Sequence, residues 1–308
     1  MERLTKKKKG KARKIELIFI WGMLALPLIQ WLIFWLGINA NFIKLGFVDA
    51  RTNAFTFSNF ATFWADLTAP HGTIKIALIN TMKYFAVTML VINPLSLVIA
   101  YFLYKEICGY KVFRVIFYLP AIISSVVMVA CFREIIQPNG VVDRLLNLFG
   151  TSIPPEGWLA NFDKATGAIL FYTVWTGFGA NMLLFAGAMV RVPTEMLEAA
   201  KLDGCSAIRE FFVMIIPMIM PTITTLIIVS CTNVISSTGP ILLFTDGGYD
   251  TTTISYWIFE KIYGGGVSGG LESNYNIVSC TGLCFTLFSL PIVFLVRYLM
   301  DKIPAVEY

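Results

Sequence analysis

Long runs of apolar residues without a charged side chain divide the sequence. Six runs contain no Asp, Glu, Lys, Arg or His, and they cover residues 17–40, 84–104, 115–132, 165–190, 211–245 and 275–296. Because a helix rises about 1.5 Å per residue, about 20 apolar residues cross the ~30 Å hydrocarbon layer of a membrane. The strands of a transmembrane barrel would instead be about ten alternating residues long. The pattern therefore predicts an all-α integral membrane protein with six transmembrane helices, and the 35-residue run 211–245 leaves room for an additional surface segment.

Composition agrees with this pattern and narrows the chemistry. Of 308 residues, 57% are hydrophobic and 14% are charged, whereas a soluble domain has about 25% charged residues. His71 is the only histidine, which excludes a His-based catalytic or zinc centre, and the sequence has no P-loop motif for binding ATP. We expect no catalytic residue, no metal site and no cofactor bound by this chain.

Positive charge is distributed unevenly between the two sides of the predicted spans. Sixteen of the 24 Lys and Arg residues fall on one side, in 1–14, 105–114, 191–210 and the C-terminal end. The positive-inside rule puts this side, and with it both termini, in the cytoplasm. Residues 1–14 are thus predicted to be a basic cytoplasmic tail beside the lipid surface and not a nucleic-acid-binding segment. Residues 15–308 are predicted to be the transmembrane domain, with its core at about 76–300.

Prolines lie within or beside several of the apolar runs. Proline removes a helical hydrogen bond and commonly kinks or ends a helix. Kinks or helix ends are therefore predicted at Pro94, Pro120, Pro217, Pro221 and Pro291.

The cytoplasmic loop 191–210 is the most informative segment. Its pattern predicts a short helix with Thr194 as N-cap, Glu195 near the positive end of the helix dipole, and Gly204 as the C-terminal stop. Ser206 is predicted to cap a second helix that leads into the next span. Two short amphipathic helices on a cytoplasmic face need a partner or the lipid surface to cover them.

The residues of this loop resemble a known motif. Glu198-Ala199-Ala200, three residues, Gly204 and then Met214-Ile215-Ile216-Pro217 resemble the EAA loop of the permease subunits of ABC importers, with the spacing kept. Met214 stands where the family has Ile, and Ile216 where it has Leu. The segments 118–121, 137–143 and 242–253 are similar to stretches of the MalF/UgpA-like (CUT1-type) carbohydrate permeases, so the resemblance covers about residues 15–300.

The resemblance implies the ABC type I importer (MetI-like) permease fold and a set of partners. These are a MalG-like second permease, two cytoplasmic ATPase subunits that bind ATP and Mg, an extracytoplasmic solute-binding protein, and a sugar as substrate. It also implies that the EAA helix docks in a cleft of an ATPase subunit, so that ATP hydrolysis by the partners drives transport. The residues assigned to this coupling role are Met196, Leu197, Glu198, Ala199, Ala200, Leu202, Asp203 and Gly204.

The polar residues inside the spans are uncharged, which suits a neutral cargo. Hydroxyl and amide groups can exchange hydrogen bonds with sugar hydroxyls, and an aromatic face can stack on a sugar ring. Packing between helices in lipid is the alternative role for such residues. The candidates for the substrate path are Trp175, Asn181, Asn233, Ser236 and Ser237.

Other functions stay open from the sequence alone. An importer of the same class for a phosphorylated polyol would need basic groups along the path, and Arg133 is the nearest candidate. A secondary transporter is disfavoured because no ionisable Asp, Glu, Lys or Arg lies within the runs. A channel would conduct without ATP. A membrane-embedded transferase would have only Asp246 and Asp250 as a carboxylate pair.

Overall fold

The computed structural model describes residues 2–236, 238–263 and 275–303, with side chains from residue 14 onward except that of residue 15. Within these residues the regular structure is helical, apart from one isolated bridge between Val48 and Phe55. In chain order the helices are α1 (Glu2–Gln30, Trp31–Leu36 and Gly37–Gly46), α2 (Ser58–Thr68), α3 (Thr73–Val87, Thr88–Ile92 and Asn93–Tyr104), α4 (Tyr110–Ile122), α5 (Ser125–Ile136), α6 (Val141–Asn147), α7 (Ala165–Met189), α8 (Thr194–Leu202), α9 (Ala207–Glu210, Phe211–Ile215 and Ile216–Met218), α10 (Met220–Ser236), α11 (Ile241–Phe244), α12 (Ile254–Tyr263) and α13 (Tyr275–Asp301). The middle segments of α1, α3 and α9 are π-helical turns.

Four helices in the described residues are long and apolar enough to cross a membrane individually. They are Glu16–Gly46, Thr73–Tyr104, Ala165–Met189 and Tyr275–Asp301. Two bent helix pairs pass the same test together, α4 with the segment Ser125–Asn147 at an angle of 107°, and α9 with α10 at 75°. The all-helical membrane fold is therefore confirmed, with up to six spans if each bent pair is one crossing.

Several of the predicted prolines lie at irregular points of the helices. Pro94 and Pro217 each follow a π-helical turn. Proline has no N–H to donate to the carbonyl four residues earlier, and in both cases that carbonyl lies in the wider π-helical turn. Pro120 lies two residues before the end of α4, where Ile123 and Ser124 have extended backbone and the chain bends by 107°. The kink or helix end predicted at Pro120 is thus confirmed, and the run 115–132 contains two helices that meet at this bend.

The chain divides into two compact units. The first comprises residues 1–63 and 274–283. In it, Asn59 donates from Nδ2 to the carbonyls of Gly46 (3.1 Å) and Val48 (3.0 Å), and Asn276 donates to the carbonyl of Val48 (2.6 Å). The apolar side chains of α1 from Leu17 to Ala40 are exposed, as expected of a helix that lipid or another subunit covers.

The second unit comprises residues 64–273 and 284–308, and its centre is the packing of α3 against α7. Ser96 is fully buried, and its hydroxyl lies 3.0 Å from the carbonyl of Phe178 across the two helices and 2.6 Å from that of Ile92 in its own helix. Asn181 donates to Oδ1 of Asn93 (3.0 Å). On another side of α7, Gly179 lets α4 approach so closely that a Cβ would lie 2.3 Å from the carbonyl oxygen of Phe117. Small and amide side chains therefore hold this bundle together, as they do in lipid generally.

Candidate functional site

Residues 191–210, here called the coupling segment, form the predicted helix, turn and helix. α8 begins at Thr194 with Pro193 at the N-cap position, so the prediction of Thr194 as N-cap is wrong by one residue. A proline at this position has a fixed φ, but its side chain has no oxygen that could accept a hydrogen bond from the first N–H groups of the helix. Glu195 lies in the first turn as expected.

The end of α8 is closed by a Schellman motif around Gly204. The N–H of Gly204 donates to the carbonyl of Lys201 (3.0 Å), and the N–H of Cys205 donates to the carbonyl of Ala200 (2.9 Å). Gly204 has φ +76°, a left-handed conformation that favours glycine, and Asp203 is the C-cap. The predicted glycine stop is confirmed. The predicted cap of the next helix is also confirmed, because the Ser206 side chain accepts a bond from the Arg209 N–H (3.4 Å).

The residues assigned to coupling separate into an outer and an inner set. Met196 and Leu202 are exposed, Leu202 by 90%, while Leu197 is only 5% exposed and joins the core of the second unit. Leu197 is thus a correction to the prediction, since it fastens α8 to its own chain and is not presented outward. Among the remaining assigned residues, Glu198, Ala199, Asp203 and Gly204 are exposed and Ala200 is half-buried.

Sequence reasoning missed the residues that hold the coupling segment against α3. Glu210, 2% exposed, forms an ion pair with Lys105 at the end of α3, and the Tyr101 hydroxyl donates to the Ala207 carbonyl (2.9 Å). The Tyr101 ring packs on Phe211 with centroids 4.7 Å apart. These contacts put the end of α3, where loop 105–114 begins, beside the coupling segment.

A cavity of about 210 Å³ lies between α3, α7 and α10. Its wall is uncharged and mostly apolar, although threonine, asparagine and tyrosine residues are among those that line it. The lining residues are Thr81, Tyr84, Thr88, Thr173, Asn233, Val234, Thr238, Gly239, Pro240, Ile241 and Thr253. The Tyr84 hydroxyl is buried and has no hydrogen-bond partner among the described residues.

The five candidates for the substrate path have different surroundings. Asn233 lines the cavity. Asn181 is bonded to Asn93, Trp175 lies in an aromatic cluster with its centroid 6.0 Å from that of Phe132, and Ser236 donates to the carbonyl of Thr232 in its own helix (2.8 Å). Ser237 lies outside the described residues. Of the four described candidates, only Asn233 lines the cavity. The sequence does not reveal whether a polar residue of a helix faces a cavity or a neighbouring helix.

The segment 241–253 lies beside this cavity, to whose wall it contributes Ile241 and Thr253. Asp246, Tyr249 and Asp250 all have positive φ, and the Tyr256 hydroxyl donates to Asp246 Oδ1 (2.5 Å). Burial, followed by the bond to Asp246, raises the pKa of Tyr256 above its ordinary value. Asn80 of α3 donates to the carbonyl of Asp250 (2.6 Å). The two carboxylates that a transferase would need thus have different surroundings, with Asp246 bound to a phenol.

Arg133 bears on the anionic-solute alternative. Its guanidinium donates to the carbonyl of Phe244 (3.1 Å) and lies in a separate pocket with Glu156 and Trp158. Arg133 does not line the cavity that contains Asn233. The basic group that a phosphorylated solute would need is therefore absent from the described wall of that cavity.

Substituting Gly204 with aspartate tests the coupling segment without disturbing the core. A Cβ at Gly204 meets no atom within 4 Å, so the chain itself has room, and Asp tolerates the left-handed region better than most residues. We expect Gly204→Asp to reach the membrane in normal amount but to lower transport more than about tenfold, ~1.4 kcal/mol, because bulk and charge are added to an exposed turn at which we expect a partner to dock. Immunoblotting of membranes and uptake assays measure the two quantities.

Gly150→Asp is the matched control for this substitution. Gly150 also has φ +76°, and a Cβ added to it would meet no atom within 4 Å, but it lies outside the coupling segment. Equal transport by the two variants would contradict the special role of Gly204.

Taken together, these features define a multi-pass helical membrane protein in which α8 of the coupling segment is largely exposed. Residues 92–303 match the protein family described as "Binding-protein-dependent transport system inner membrane component", and the chain belongs to this family. The family predicted from the motif at 198–217 is confirmed.

Relatives of the chain are permease subunits, which are transport components. It is 29% identical over 192 residues to the lactose transport system permease protein LacF of Rhizobium radiobacter, covering 61% of this chain and 64% of LacF. It is 28% identical over 152 residues to the arabinooligosaccharides transport system permease protein AraP of Bacillus subtilis (strain 168), covering 48% of each. It is 26% identical over 222 residues to the maltose/maltodextrin permease MalF of Vibrio vulnificus, covering 68% of this chain and 42% of MalF. The match thus spans less than two thirds of the length of each of these relatives.

Two solved structures have the same fold. The chain superposes with a TM-score of 0.76 and 20% identity on a chain of a bacterial ABC transporter involved in the import of the acidic polysaccharide alginate, covering 94% of this chain and 98% of the other. A chain of the alginate transporter in complex with an alginate pentasaccharide-bound periplasmic protein gives a TM-score of 0.77 at 21% identity, with coverage of 96% and 99%. At such low identity the likeness establishes the fold.

Proposed function

We propose that the chain is a permease subunit of an ATP-driven importer that moves a sugar or oligosaccharide across the cytoplasmic membrane. The observation that carries the proposal is the exposed helix α8, with Glu198 on its surface and a glycine-stopped end, in a member of the binding-protein-dependent permease family. LacF, AraP and MalF are all named for sugar substrates, and this supports a carbohydrate as cargo.

In this proposal α8 transmits work done by a partner. Glu198 pairs with a basic residue of a cytoplasmic ATPase subunit, and Met196 and Leu202 supply apolar contacts. Ala199, Ala200 and Gly204 keep the helix and its turn small enough to enter a groove. ATP and Mg bind at two ATPase subunits, and closure of these subunits moves α8 and the helices attached to it.

The remaining partners follow from the same scheme. A second, MalG-like permease covers the exposed apolar surface, and an extracytoplasmic binding protein delivers the sugar. Both termini and loops 105–114 and 191–210 lie in the cytoplasm, which the clustering of Lys and Arg supports. Asn233 contacts the sugar in the uncharged cavity, and no charge has to be desolvated there.

The test is reconstitution of the purified complex. A tagged chain is isolated with its associated subunits, inserted into proteoliposomes, and supplied with the cognate binding protein and radiolabelled oligosaccharides that this protein binds. We expect uptake that needs both ATP and binding protein. Flux without either would identify a channel instead, and a binding protein that takes peptides, metal ions or phosphorylated polyols would overturn the carbohydrate assignment.

A further inference from the structure

The end of α3 is attached to the coupling segment by three contacts of different kinds. Lys105 forms an ion pair with Glu210, the Tyr101 hydroxyl donates to the carbonyl of Ala207 (2.9 Å), and the Tyr101 ring packs on Phe211. The Lys105 ammonium also lies 5.6 Å from the centroid of the Tyr101 ring. We call the set Tyr101, Lys105, Ala207 and Glu210 the α3 clamp.

The electrostatics of the clamp favour this arrangement. Lys105 follows the last residue of α3, where the helix dipole is negative, and Glu210 lies in the first turn of α9, where it is positive. The side chains are 25% and 3% exposed, so solvent screens the pair only in part. Removing one partner would leave the other charge in a poorly solvated place.

The same helix reaches the cavity at its other half. Thr81, Tyr84 and Thr88 of α3 line the cavity, and Tyr101 lies 13 residues or about 20 Å further along the helix. The π-helical turn Thr88–Ile92 begins at the cavity and continues towards Tyr101. A displacement of the α8–α9 turn can thus reach the cavity wall along one helix.

We propose that the α3 clamp transmits movement of the coupling segment to α3 and so to the wall of the cavity. Lys105, Glu210 and Tyr101 are positioning residues in this scheme, since none of them touches the sugar or ATP. The inference rests on the proposed function as an ATP-driven importer, and it adds a second route of transmission beside the covalent connection of α9 to α10.

The experiment measures sugar molecules imported per ATP hydrolysed by the reconstituted complex. We expect Lys105→Met and Glu210→Gln each to lower this ratio by about fivefold or more, the lower end of typical coupling between sites. Tyr101→Phe, which removes only the hydroxyl, is expected to lower it less. Lys105→Arg, which keeps the positive charge at the end of α3, is expected to retain at least half of the wild-type ratio. Lys111→Met, on an exposed residue of the neighbouring helix, is the control.

The outcomes separate the clamp from simpler explanations. Because the ratio is taken per ATP hydrolysed by assembled complex, a loss of folding or assembly that lowers both activities does not change it. A normal ratio in both Lys105→Met and Glu210→Gln, or a ratio for Lys105→Arg as low as that for Lys105→Met, would overturn the clamp. If the wild-type complex itself showed no ATP-driven uptake, the proposed function and not the clamp alone would be overturned.

Discussion

Glu198→Lys is expected to lower ATP-dependent sugar uptake more than tenfold while the protein remains in the membrane. Glu198 is exposed in the middle of α8 and forms no ion pair among the described residues, so the chain's own stability does not depend on it. A charge that is buried and paired at an interface costs about 2–5 kcal/mol when its partner is removed, and reversal places two like charges together. The measurement is uptake by proteoliposomes, alongside ATP hydrolysis by the same complex.

Glu106→Lys is the matched control for the reversal of Glu198. It makes the same change in charge at an exposed residue of the neighbouring loop. We expect this variant to transport normally. If Glu198→Lys imports sugar at the wild-type rate with normal coupling to ATP hydrolysis, α8 is not the docking element.

Local signals explain which parts of the coupling segment could be predicted from sequence. Gly204 and Ser206 act within a few residues of themselves, through the left-handed turn and the N-cap, and both are found as expected. The sequence pattern assigns Leu197 to the outward face of α8, but Leu197 is buried in the same core as Phe211. The pattern of a nine-residue helix does not show which of its faces the rest of the chain will cover. The inward or outward direction of an apolar residue on a short helix depends on what the rest of the chain places beside it.

Features that depend on contacts between residues far apart in sequence were harder to predict. Tyr101 and Ala207 are 106 residues apart in sequence, and no local pattern links them. The same holds for the cavity, where Thr81, Thr173 and Asn233 come from three helices. Charge-free run length predicted the spans, but the rotation of each helix about its axis, which decides whether Asn181 faces Asn93 or a cavity, is set by neighbouring helices.

The α3 clamp and the cavity give α3 a role that its composition alone does not suggest. Its ends contact the coupling segment through Lys105 and the 241–253 segment through Asn80. Between them, Ser96 and Asn93 bond to α7. Because α3 is bound to three parts of the second unit, we expect it either to move with all of them or to bend. The place for a bend is the π-helical turn Thr88–Ile92, where the backbone hydrogen bonds are irregular.

Filling the cavity at Asn233 is expected to stop transport while the fold persists. Asn233 lines the cavity but is exposed, so a larger side chain there does not overpack the core. We expect Asn233→Trp to lower uptake more than about tenfold by occupying part of a cavity of about 210 Å³, ~1.4 kcal/mol or more. Asn233→Leu, close to asparagine in size, removes only the amide. It is expected to raise the KM for the sugar about 2- to 13-fold, the equivalent of one hydrogen bond.

Thr232→Trp separates occupation of the cavity from a general effect of tryptophan on α10. Thr232 is the preceding residue, is exposed, bonds to the carbonyl of Ile228 in its own helix (3.1 Å), and does not line the cavity. We expect uptake within about twofold of wild type, the usual size of a surface substitution of ~0.5 kcal/mol. Normal uptake by Asn233→Trp would mean that the sugar passes elsewhere. Loss in Asn233→Trp with retention in Thr232→Trp would assign the path to this cavity, because the two tryptophans differ only in the face of α10 from which they project.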